Sequence, residues 1–477
     1  MLWLCLHFPC LPIEIFLRAG LAPDPLIVST GGHRAQVVAC DPRARRAGIC
    51  PGMPVPATYA LAPRLLVRTR DVSRERHALE NIALWAFQFT SQVSVLPPGS
   101  LLLEIGGSLR FFGGLDALCN RIRAEASTLG FDAVVAAAPT PRGALWLARA
   151  GLEPVIEDPA TLNHHLNRLP VEYLEVGSGV LESFRRIGVR TIGEFVRLPR
   201  DGVARRFGQD LLDRVDRAFG VLPDPQAVFT PPVRFRAELT LSSPVNEVEA
   251  LLFAAHRLLL QLTGYLSACN AGVTRLRLVL LSENGEPTET IIALSIPGRD
   301  PKHLVNLLRE RLSVTPLPGR TESIRLEAIE VAQLAPRNFS FFPDREQARE
   351  ERTVLVEKLR ARLGNDAAHG LSLYPDARPE LAWREAEPGT RTGPAPYRPR
   401  PVWLLPRPRR LDMRDEVPQL DGGLALLNGP ERIESGWWDG NEVMRDYYVA
   451  RNPSGATFWI YRERSRQAHW FLHGIFA

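Results

Sequence analysis

The chain has 477 residues, of which 45% are hydrophobic and 23% charged, with 58 basic against 53 acidic side chains. These values are ordinary for a globular protein and exclude wholesale disorder, a collagen-like chain and a coiled coil. The length predicts about three domains, no apolar run is long enough to predict a transmembrane helix, and the net charge of +5 is weak evidence for a polyanionic partner.

Residues 1–165 alternate short apolar runs with amphipathic stretches, which predicts an α/β or α+β domain. Residues 30–65 are rich in glycine, proline and arginine and predict a small inserted subdomain. The predicted strands are Leu2–Leu6, Gln36–Cys40, Leu101–Ile105 and Ala133–Ala137. The predicted helices are Ala78–Phe89 and Leu115–Leu129.

Residues 166–222 have a helical pattern throughout, and Thr191 is a candidate N-cap. Short helices separated at glycines resemble a helix-hairpin-helix unit, which presents backbone N–H groups to a phosphate. A plain helical connector is the alternative, and Glu175, near the expected glycine turn, would repel a phosphate. The predicted helices are Val180–Ile187, Ile192–Leu198 and Leu211–Ala218.

A proline-rich linker at residues 221–234 precedes a strand and helix pattern of the order βαββαβ over residues 235–335. In this domain apolar and basic residues alternate along two strands, so that one sheet face is apolar. The other, open face then carries Arg275, Arg277 and Arg325. Three arginines on an open sheet suit a nucleic-acid backbone, and they equally suit an ordinary solvated face. The predicted elements are Phe235–Leu241, Val245–Leu266, Val273–Leu281, Thr288–Ile296, His303–Leu312 and Ser323–Val331.

Residues 336–408 predict a tether, with a polar helix at Glu346–Leu363 and a proline-rich linker at 388–408. The last segment, 409–477, is rich in aromatic residues and predicts a small β meander with strands at 445–450, 456–462 and 468–476. Its aromatic side chains form the core of this module or bind a base or a protein.

The cysteines and lysines restrict the chemistry further. Six cysteines occur without a CxxC pair, which predicts neither a zinc site nor a disulfide framework and fits the cytoplasm. The first lysine is Lys302, so no lysine in the first 301 residues can bind a triphosphate or form a Schiff base. We therefore expect no metal and no cofactor.

Three local sequences carry a resemblance to a known family. The segment 39–49, followed by Pro51-Gly52-Met53-Pro54, is similar to the fingers segment of Y-family translesion DNA polymerases. Residues 184–198 and the Arg206-Phe207-Gly208 string are similar to the thumb of the same enzymes. The resemblance extends to about residue 335 and implies an α+β multidomain fold.

In that fold the implied domains follow the composition boundaries above. Residues 1–165 would be a palm-like domain with the fingers insertion at about 20–75, and 166–222 a degenerate thumb. Residues 235–335 would be the little finger, 336–408 a tether, and 409–477 a small β-rich C-terminal module that binds partners.

The resemblance fails where the family places its metal-binding carboxylates. At those positions this chain has Cys5, Gly99 and Ser100, and only the trailing acid of the second motif remains, as Glu104. Arg45 matches a triphosphate-binding arginine and would be a vestigial nucleotide site. Since neutral side chains cannot hold a pair of Mg²⁺ ions for phosphoryl transfer, the resemblance implies a polymerase fold without polymerase chemistry and no catalytic residue.

Two other interpretations stay open. The chain is an active Y-family polymerase if its metal-binding carboxylates have moved to Glu14, Glu104 or Asp116. It is a DNA-binding repair factor unrelated to sliding clamps if only the helical hairpin is functional.

Four strings near the C-terminus resemble a catalytically degenerate branch of the family that belongs to a bacterial mutagenesis cassette. The strings are Arg378–Arg384, Glu431–Gly440, Arg445–Tyr448 and Trp470–Phe476. The resemblance implies a non-catalytic adaptor in translesion synthesis induced by DNA damage, as in the SOS response. Its implied partners are DNA, the β sliding clamp, the cassette protein ImuA and an error-prone C-family DNA polymerase, with no membrane partner.

Clamp-binding peptides have the form Q-L-x-L-F, in which a polar anchor precedes two apolar side chains that fill a preformed pocket. The run Asn338, Phe339, Ser340, Phe341 and Phe342 has this spacing and lies in the predicted tether. Exposed phenylalanines in a polar tether are unusual unless they bind something. The sequence therefore predicts clamp binding here, with packing of these rings on the little finger as the alternative. Residues 370–374 (Gly-Leu-Ser-Leu-Tyr) are a second, weaker candidate for the clamp-binding motif.

Overall fold

The computed structural model describes residues 1–18, 24–282, 287–317, 319–334, 345–390, 400–464 and 468–476. The chain divides into two units, Met1–Arg362 and Leu363–Ala477. The strands of the first unit are β1 (Trp3–His7), β2 (Leu26–Ser29), β3 (Val37–Cys40), β4 (Leu66–Thr69), β5 (Val93–Leu96), β6 (Ser100–Glu104), β7 (Val134–Ala138), β8 (Arg236–Val245), β9 (Ala271–Ser282), β10 (Thr288–Gly298) and β11 (Thr321–Gln333).

In chain order, the first helices belong to the palm and fingers, the next to the thumb, and the last to the little finger and the segment that follows it. They are α1 (Leu11–Leu17), α2 (Pro42–Arg46), α3 (Val55–Thr58), α4 (Val72–Ala86), α5 (Leu109–Phe112), α6 (Leu115–Leu129), α7 (Pro141–Arg149), α8 (Pro159–Arg168), α9 (Ser178–Arg186), α10 (Ile192–Val196), α11 (Arg200–Phe207), α12 (Gln209–Ala218), α13 (Val248–Ala268), α14 (Pro301–Leu312) and α15 (Arg345–Leu363). None of those in the described ranges is both long and apolar enough to span a membrane.

The palm is an antiparallel sheet with strand order β5-β6-β1-β7. The central strand β1 is apolar at nearly every position because both faces of the sheet are covered. Leu4 and Leu6 face a core formed with α4 and α6, whereas Trp3 and Cys5 face a second core formed with α7 and the thumb helices. The fingers insertion is a separate three-stranded sheet of order β3-β2-β4.

The thumb contains the three predicted helices and one more, α11, which the sequence pattern does not predict. Within α11 only Val203 is buried, and Gly202 interrupts its helical pattern, so its apolar periodicity is too weak to detect. Thr191 is the N-cap of α10, as predicted. Its hydroxyl accepts from the backbone N–H of Glu194 at 3.2 Å, and the Glu194 carboxylate accepts from the N–H of Thr191 at 3.0 Å.

The βαββαβ order of the little finger is confirmed by β8, α13, β9, β10, α14 and β11. The sheet has the order β10-β9-β11-β8, and α13 and α14 cover one face of it. The predicted turn at residues 283–285 lies outside the described residues.

The little finger is packed directly on the palm through helices α13 and α4. A Cβ on Gly264 would lie 2.1 Å from the carbonyl oxygen of Leu84, so only glycine permits this approach. Leu260 of α13 completes the palm core, and the Arg257 Nε donates to the Thr128 carbonyl at 3.0 Å. The first unit is therefore a stack of layers, with the thumb and α7 at one end and the little-finger sheet at the other.

The second unit contains a five-stranded antiparallel sheet of order β14-β20-β19-β18-β17 and two short hairpins. The strands are β12 (Gly370–Leu373), β13 (Trp383–Ala386), β14 (Trp403–Arg410), β15 (Asp412–Arg414), β16 (Val417–Gln419), β17 (Ala425–Ser435), β18 (Val443–Arg451), β19 (Thr457–Glu463) and β20 (Trp470–Ile475). The three predicted meander strands are confirmed as β18, β19 and β20.

The tether expected over residues 336–408 is partly folded in the structure. Helix α15 joins the first unit, the β12–β13 hairpin joins the second, and β14 is an edge strand within the segment predicted as a proline-rich linker. An edge strand tolerates proline because one row of its backbone groups needs no partner. Pro406 and Pro408 fall where the pairing with β20 shifts register, between Leu404 and Arg409.

Candidate active-site remnant and nucleic-acid interface

The positions to which the family resemblance assigns metal-binding carboxylates lie on neighbouring palm strands or next to them. In the antiparallel pair of β1 and β6, Cys5 is opposite Leu102 and His7 is opposite Ser100. Opposed residues share a face of the sheet, so Cys5, His7 and Ser100 line the face that is covered by α7. The structure therefore brings together the residues that the sequence comparison singled out at Cys5 and Ser100.

This face holds Cys5 as a neutral thiol. Cys5 is fully buried, and burial raises its pKa to about 12, which the positive charge of Arg149 only partly offsets. A protonated thiol is a poor ligand for Mg²⁺, which prefers oxygen atoms.

His7 and the 99–100 turn form a small hydrogen-bonded cluster. The Nδ1 atom of His7 lies 3.0 Å from the Ser100 Oγ and 3.1 Å from the Gly99 carbonyl oxygen. Burial lowers the pKa of His7, and the charge of Arg149 lowers it further, so the imidazole is neutral at pH 7. A Cβ on Gly99 would lie 3.1 Å from the Phe8 carbonyl oxygen, which leaves little room for an aspartate.

The remaining acids of this region bind backbone N–H groups. Glu104 Oε1 accepts from Leu2 at 3.3 Å and from Gly106 at 3.1 Å. Glu104 is opposite Trp3 at the other end of β6 from Ser100, about 13 Å away at roughly 3.3 Å per residue. Glu14, on α1, accepts from the Asp132 N–H at 2.8 Å.

Asp116 lies in the first turn of α6, which covers the palm face opposite Cys5. The three acids considered as relocated metal ligands are thus not brought together. Among the described residues, no three His, Cys, Asp or Glu side chains are grouped so that they could hold a metal ion.

The fingers insertion carries Arg45 on the short helix α2. The Asp41 carboxylate caps this helix by accepting from the Ala44 N–H at 2.7 Å, which leaves the Arg45 side chain exposed. Between residues 24 and 70 the sequence has seven arginines and two aspartates, Asp24 and Asp41. The fingers are therefore a clearly basic part of the first unit.

The sequence predicts that Glu175 repels a phosphate, but in the structure its carboxylate lies beside two arginines. Its carboxylate is paired with the guanidinium of Arg149 and lies 3.8 Å from that of Arg142. Its backbone is left-handed, with φ of 57°, and its carbonyl oxygen accepts from Arg214 at 2.8 Å. The negative charge is compensated at the palm–thumb junction, so the expected repulsion of a phosphate at the hairpin is not supported.

The open face of the little-finger sheet carries Arg275, Arg277 and Arg325 as predicted, and each is paired with a glutamate. Arg277 is 2.6 Å from Glu327 and 3.2 Å from Glu289. The two other pairs are Arg325–Glu238 at 3.0 Å and Arg275–Glu330 at 3.4 Å. Cross-strand pairing thus compensates the charge of this face, a feature that the alternation of residues along single strands does not reveal.

The open face and the Cys5 face lie at opposite ends of the first unit. Helices α4 and α6 cover the palm face opposite Cys5, and α13 packs between them and the little-finger sheet. Three layer spacings of about 10 Å separate the two faces by about 30 Å. The structure therefore does not bring the predicted DNA-binding arginines next to the active-site remnant.

Among its described residues, the C-terminal module buries the aromatic side chains of Tyr447, Phe458, Trp459 and Tyr461 and exposes those of two tryptophans. Tyr447 stacks on Trp459 with ring centroids 4.1 Å apart, and its hydroxyl lies 2.7 Å from the Nδ1 of His473. Trp437 and Trp438, in the turn between β17 and β18, are 75% and 58% exposed. The predicted clamp-binding run at residues 338–342 lies outside the described residues.

Comparison with known proteins places these features in context. Residues 10–148, which include most of the palm and the fingers, match the model of the impB/mucB/samB family. Two curated relatives are Protein ImuB of Caulobacter vibrioides, strains NA1000 / CB15N and ATCC 19089 / CIP 103742 / CB 15. Each is 27% identical over 458 residues, which cover 90% of this chain and all of the relative. The chain is similar to Protein ImuB over 90% of its length.

This similarity agrees with the resemblance carried by the four C-terminal strings, since the aligned region extends well beyond the palm. Among solved structures, DinB from Sulfolobus solfataricus is 17% identical, with 69% of this chain and 98% of that chain covered and a TM-score of 0.40. An insertion ternary complex of Dbh DNA polymerase gives the same identity and coverage with a TM-score of 0.41.

Proposed function

We propose that this chain is a non-catalytic, Y-family polymerase-like adaptor in DNA-damage-induced translesion synthesis and mutagenesis. It binds DNA and the sliding clamp in the cytoplasm and recruits ImuA and an error-prone C-family polymerase, which carries out the synthesis. The observation that carries the proposal is the palm face around Cys5 and Ser100, which holds no carboxylate where the family resemblance expects the metal-binding ones, at Cys5, Gly99 and Ser100. Relationship to ImuB over 90% of the chain supports the same assignment.

The environment of that face supports the absence of phosphoryl-transfer chemistry. Two Mg²⁺ ions bring four positive charges, which need carboxylates to bind them against the triphosphate. Here the thiol of Cys5 is protonated at neutral pH and His7 is neutral. Glu104 is occupied by two backbone N–H groups. This use of Glu104 also argues against a polymerase with relocated carboxylates.

DNA binding is supported by charge in two places. The fingers combine seven arginines with two aspartates over residues 24–70, and the little finger presents Arg275, Arg277 and Arg325 on its open face. DNA phosphates must displace the paired glutamates to reach these three arginines. We therefore expect a moderate affinity for DNA that depends strongly on the salt concentration. Arg45 then serves DNA or nucleotide binding without catalysis.

Recruitment of protein partners is assigned to residues 338–342 for the clamp and to the C-terminal module for ImuA and the C-family polymerase. Tryptophan is enriched among residues that dominate protein interfaces, and Trp437 and Trp438 are exposed on one turn. Their backbone is held firmly, because Arg378 is buried and pairs with Asp439 at 2.6 Å in the same turn.

A reconstituted bypass assay tests this proposal. We expect the chain to stimulate lesion bypass by the C-family polymerase on a clamp-loaded template. A Trp437→Ala/Trp438→Ala variant should lose most of that stimulation, and a Trp383→Ala variant, which removes another exposed tryptophan of the same unit, should keep it. No stimulation by the wild-type chain would contradict the adaptor role.

A further inference from the structure

Helix α15 presents a stripe of three leucines to solvent. Leu355, Leu359 and Leu363 recur every four residues and are 56%, 41% and 64% exposed. The four-residue spacing places them on one side of the helix. Single exposed leucines are common on protein surfaces, whereas a continuous apolar stripe along one helix is typical of a binding surface.

The opposite side of α15 is anchored to the little finger. Glu357 is buried there, and its carboxylate accepts from the Ser295 N–H at 2.7 Å and lies 2.7 Å from the Nε2 of His303. Ala361, one turn further along, packs against the little-finger core. Since residues 357 and 355 lie about 200° apart on a helix, this anchor turns the leucine stripe away from the domain.

The charges beside the stripe are mainly positive. Arg352, Lys358 and Arg362 lie on the same side of the helix as the leucines and are exposed, together with one acid, Glu351. The Arg362 guanidinium is 3.7 Å from Glu310 in an exposed pair, which contributes little binding energy. A second copy of this helix would bring like charges together, so the stripe is not self-complementary. Its flanks suit a partner with negative charges.

We propose that α15 is a docking site for an amphipathic helix of a partner protein, with leucines on its buried side and acidic residues along its flanks. The stripe extends over the nine residues 355–363, or about 12 Å, so it contacts about two turns of the partner helix. A surface this small predicts weak, transient binding. The proposal requires neither DNA nor clamp binding.

The test uses the full-length chain and two synthetic peptides. The first is an 18-residue helix-forming peptide with leucines at alternating spacings of three and four and glutamates on both flanks. The second has the same leucines with lysines in place of the glutamates. By fluorescence anisotropy we expect the acidic peptide to bind with a Kd of about 10–100 µM, and the basic peptide to bind at least tenfold more weakly.

Variants of the stripe and its flanks provide the controls. Leu355→Lys/Leu359→Lys should weaken binding of the acidic peptide at least tenfold, and the milder Leu359→Ala about threefold. Leu152→Lys alters a leucine with the same 41% exposure elsewhere in the first unit and should leave the affinity unchanged. The charge-reversed variant Arg352→Glu/Lys358→Glu/Arg362→Glu should prefer the basic peptide.

Because the altered leucines are exposed, all variants should keep the circular dichroism spectrum and melting temperature of the parent. Equal binding of both peptides, or unchanged binding by the double leucine variant, overturns the proposal. A change of sedimentation coefficient in the double variant assigns the stripe to a second copy. A lowered melting temperature in Leu359→Ala assigns it to contacts within the chain. Either result also overturns it.

Discussion

A Cβ built on Gly264 would lie 2.1 Å from the carbonyl oxygen of Leu84. The long helix α13 of the little finger and the palm helix α4 are therefore in direct backbone contact at this point. This contact fixes the orientation of the little-finger sheet. Its open face is directed away from the palm, and the Cys5 face is directed towards the thumb. The two surfaces to which the sequence assigns function are therefore separated by the packed helices between them.

We expect Gly264→Leu to separate the little finger from the palm. A side chain at this position forces α13 away from α4, and overpacking of this kind costs about 3 kcal/mol. Small-angle scattering should show a larger radius of gyration, and the melting temperature should fall. Gly202→Leu is the matched control, because no atom lies within 4 Å of a Cβ built at that position. An unchanged radius for the Gly264 variant would show that this contact does not hold the two domains together.

The stability of the first unit should depend on pH through Glu14. Burial raises the pKa of Glu14 from its ordinary value of 4.5 to about 7, although the hydrogen bond from the Asp132 N–H opposes the shift. Since the native state binds this proton more tightly than the unfolded chain, protonation stabilises the fold. That contribution is complete below about pH 4.5 and is lost as the pH rises to about 7.

Glu14→Gln should therefore unfold at a higher temperature than the parent at pH 8 and at a similar temperature at pH 4. The expected gain at pH 8 is about 1–3 kcal/mol, given 1.36 kcal/mol for each pKa unit and partial relaxation of the site. Glu249→Gln, which alters an exposed carboxylate, should show no such dependence. A gain of equal size at both pH values would mean that the charge of Glu14 is not the cause.

The sequence predicts which face of a strand a residue occupies, but it predicts neither the strand register nor the packing of the domains. Alternation along β9 places Arg275 and Arg277 on the open face correctly, because period-two patterns are local. The partners Glu289 and Glu330 lie on neighbouring strands, and their pairing depends on register, which a single strand does not encode. Gly264 gives no local signal either, since a glycine inside an apolar helix has several explanations.

At the candidate site too, the sequence predicts single residues but not the contacts between residues that are distant in the chain. Comparison with a family motif predicts that Cys5, Gly99 and Ser100 replace charged residues, and this prediction needs only the local sequence. The compensation of Glu175 by Arg149 joins residues 26 positions apart on different elements, and it appears only in the folded chain. The burial of Glu357 likewise reverses the ordinary expectation for a glutamate in a polar helix.

The glutamates of the little finger should compete with DNA for the arginines. We expect Glu327→Gln to raise the affinity for duplex DNA about threefold. The dependence of that affinity on salt concentration should steepen by about the amount that one additional phosphate contact contributes. Replacing Arg275, Arg277 and Arg325 together by alanine should lower affinity about tenfold or more. Fluorescence anisotropy between 50 and 200 mM salt, a range of ionic strength over which phosphate contacts weaken measurably, provides the data.

Glu249→Gln is the control for that series, because it removes one negative charge from an arginine–glutamate pair on the helical side of the same domain. It should change DNA affinity by much less than Glu327→Gln. If the triple arginine variant binds as well as the parent, the open face does not contact DNA, and the basic fingers become the stronger candidate.

Clamp binding should depend on the aromatic residues that follow β11. We expect Phe341→Ala/Phe342→Ala to reduce affinity for the purified β clamp at least tenfold, because two apolar side chains leave their pocket. Surface plasmon resonance with immobilised clamp measures this. Leu371→Ala/Leu373→Ala, which alters exposed leucines in β12, is the control. Clamp affinity that falls only in this second variant would move the binding site to residues 370–374.

The central claim is that this palm supports no nucleotide transfer, and primer extension tests it most directly. Purified protein is incubated with a primed undamaged template and all four nucleotides, in Mg²⁺ and separately in Mn²⁺, and a gel shift on the same DNA confirms binding. The account predicts a shifted complex and no added nucleotide with either metal. Templated extension that is abolished by Glu104→Ala would contradict it and would identify a working polymerase with relocated carboxylates.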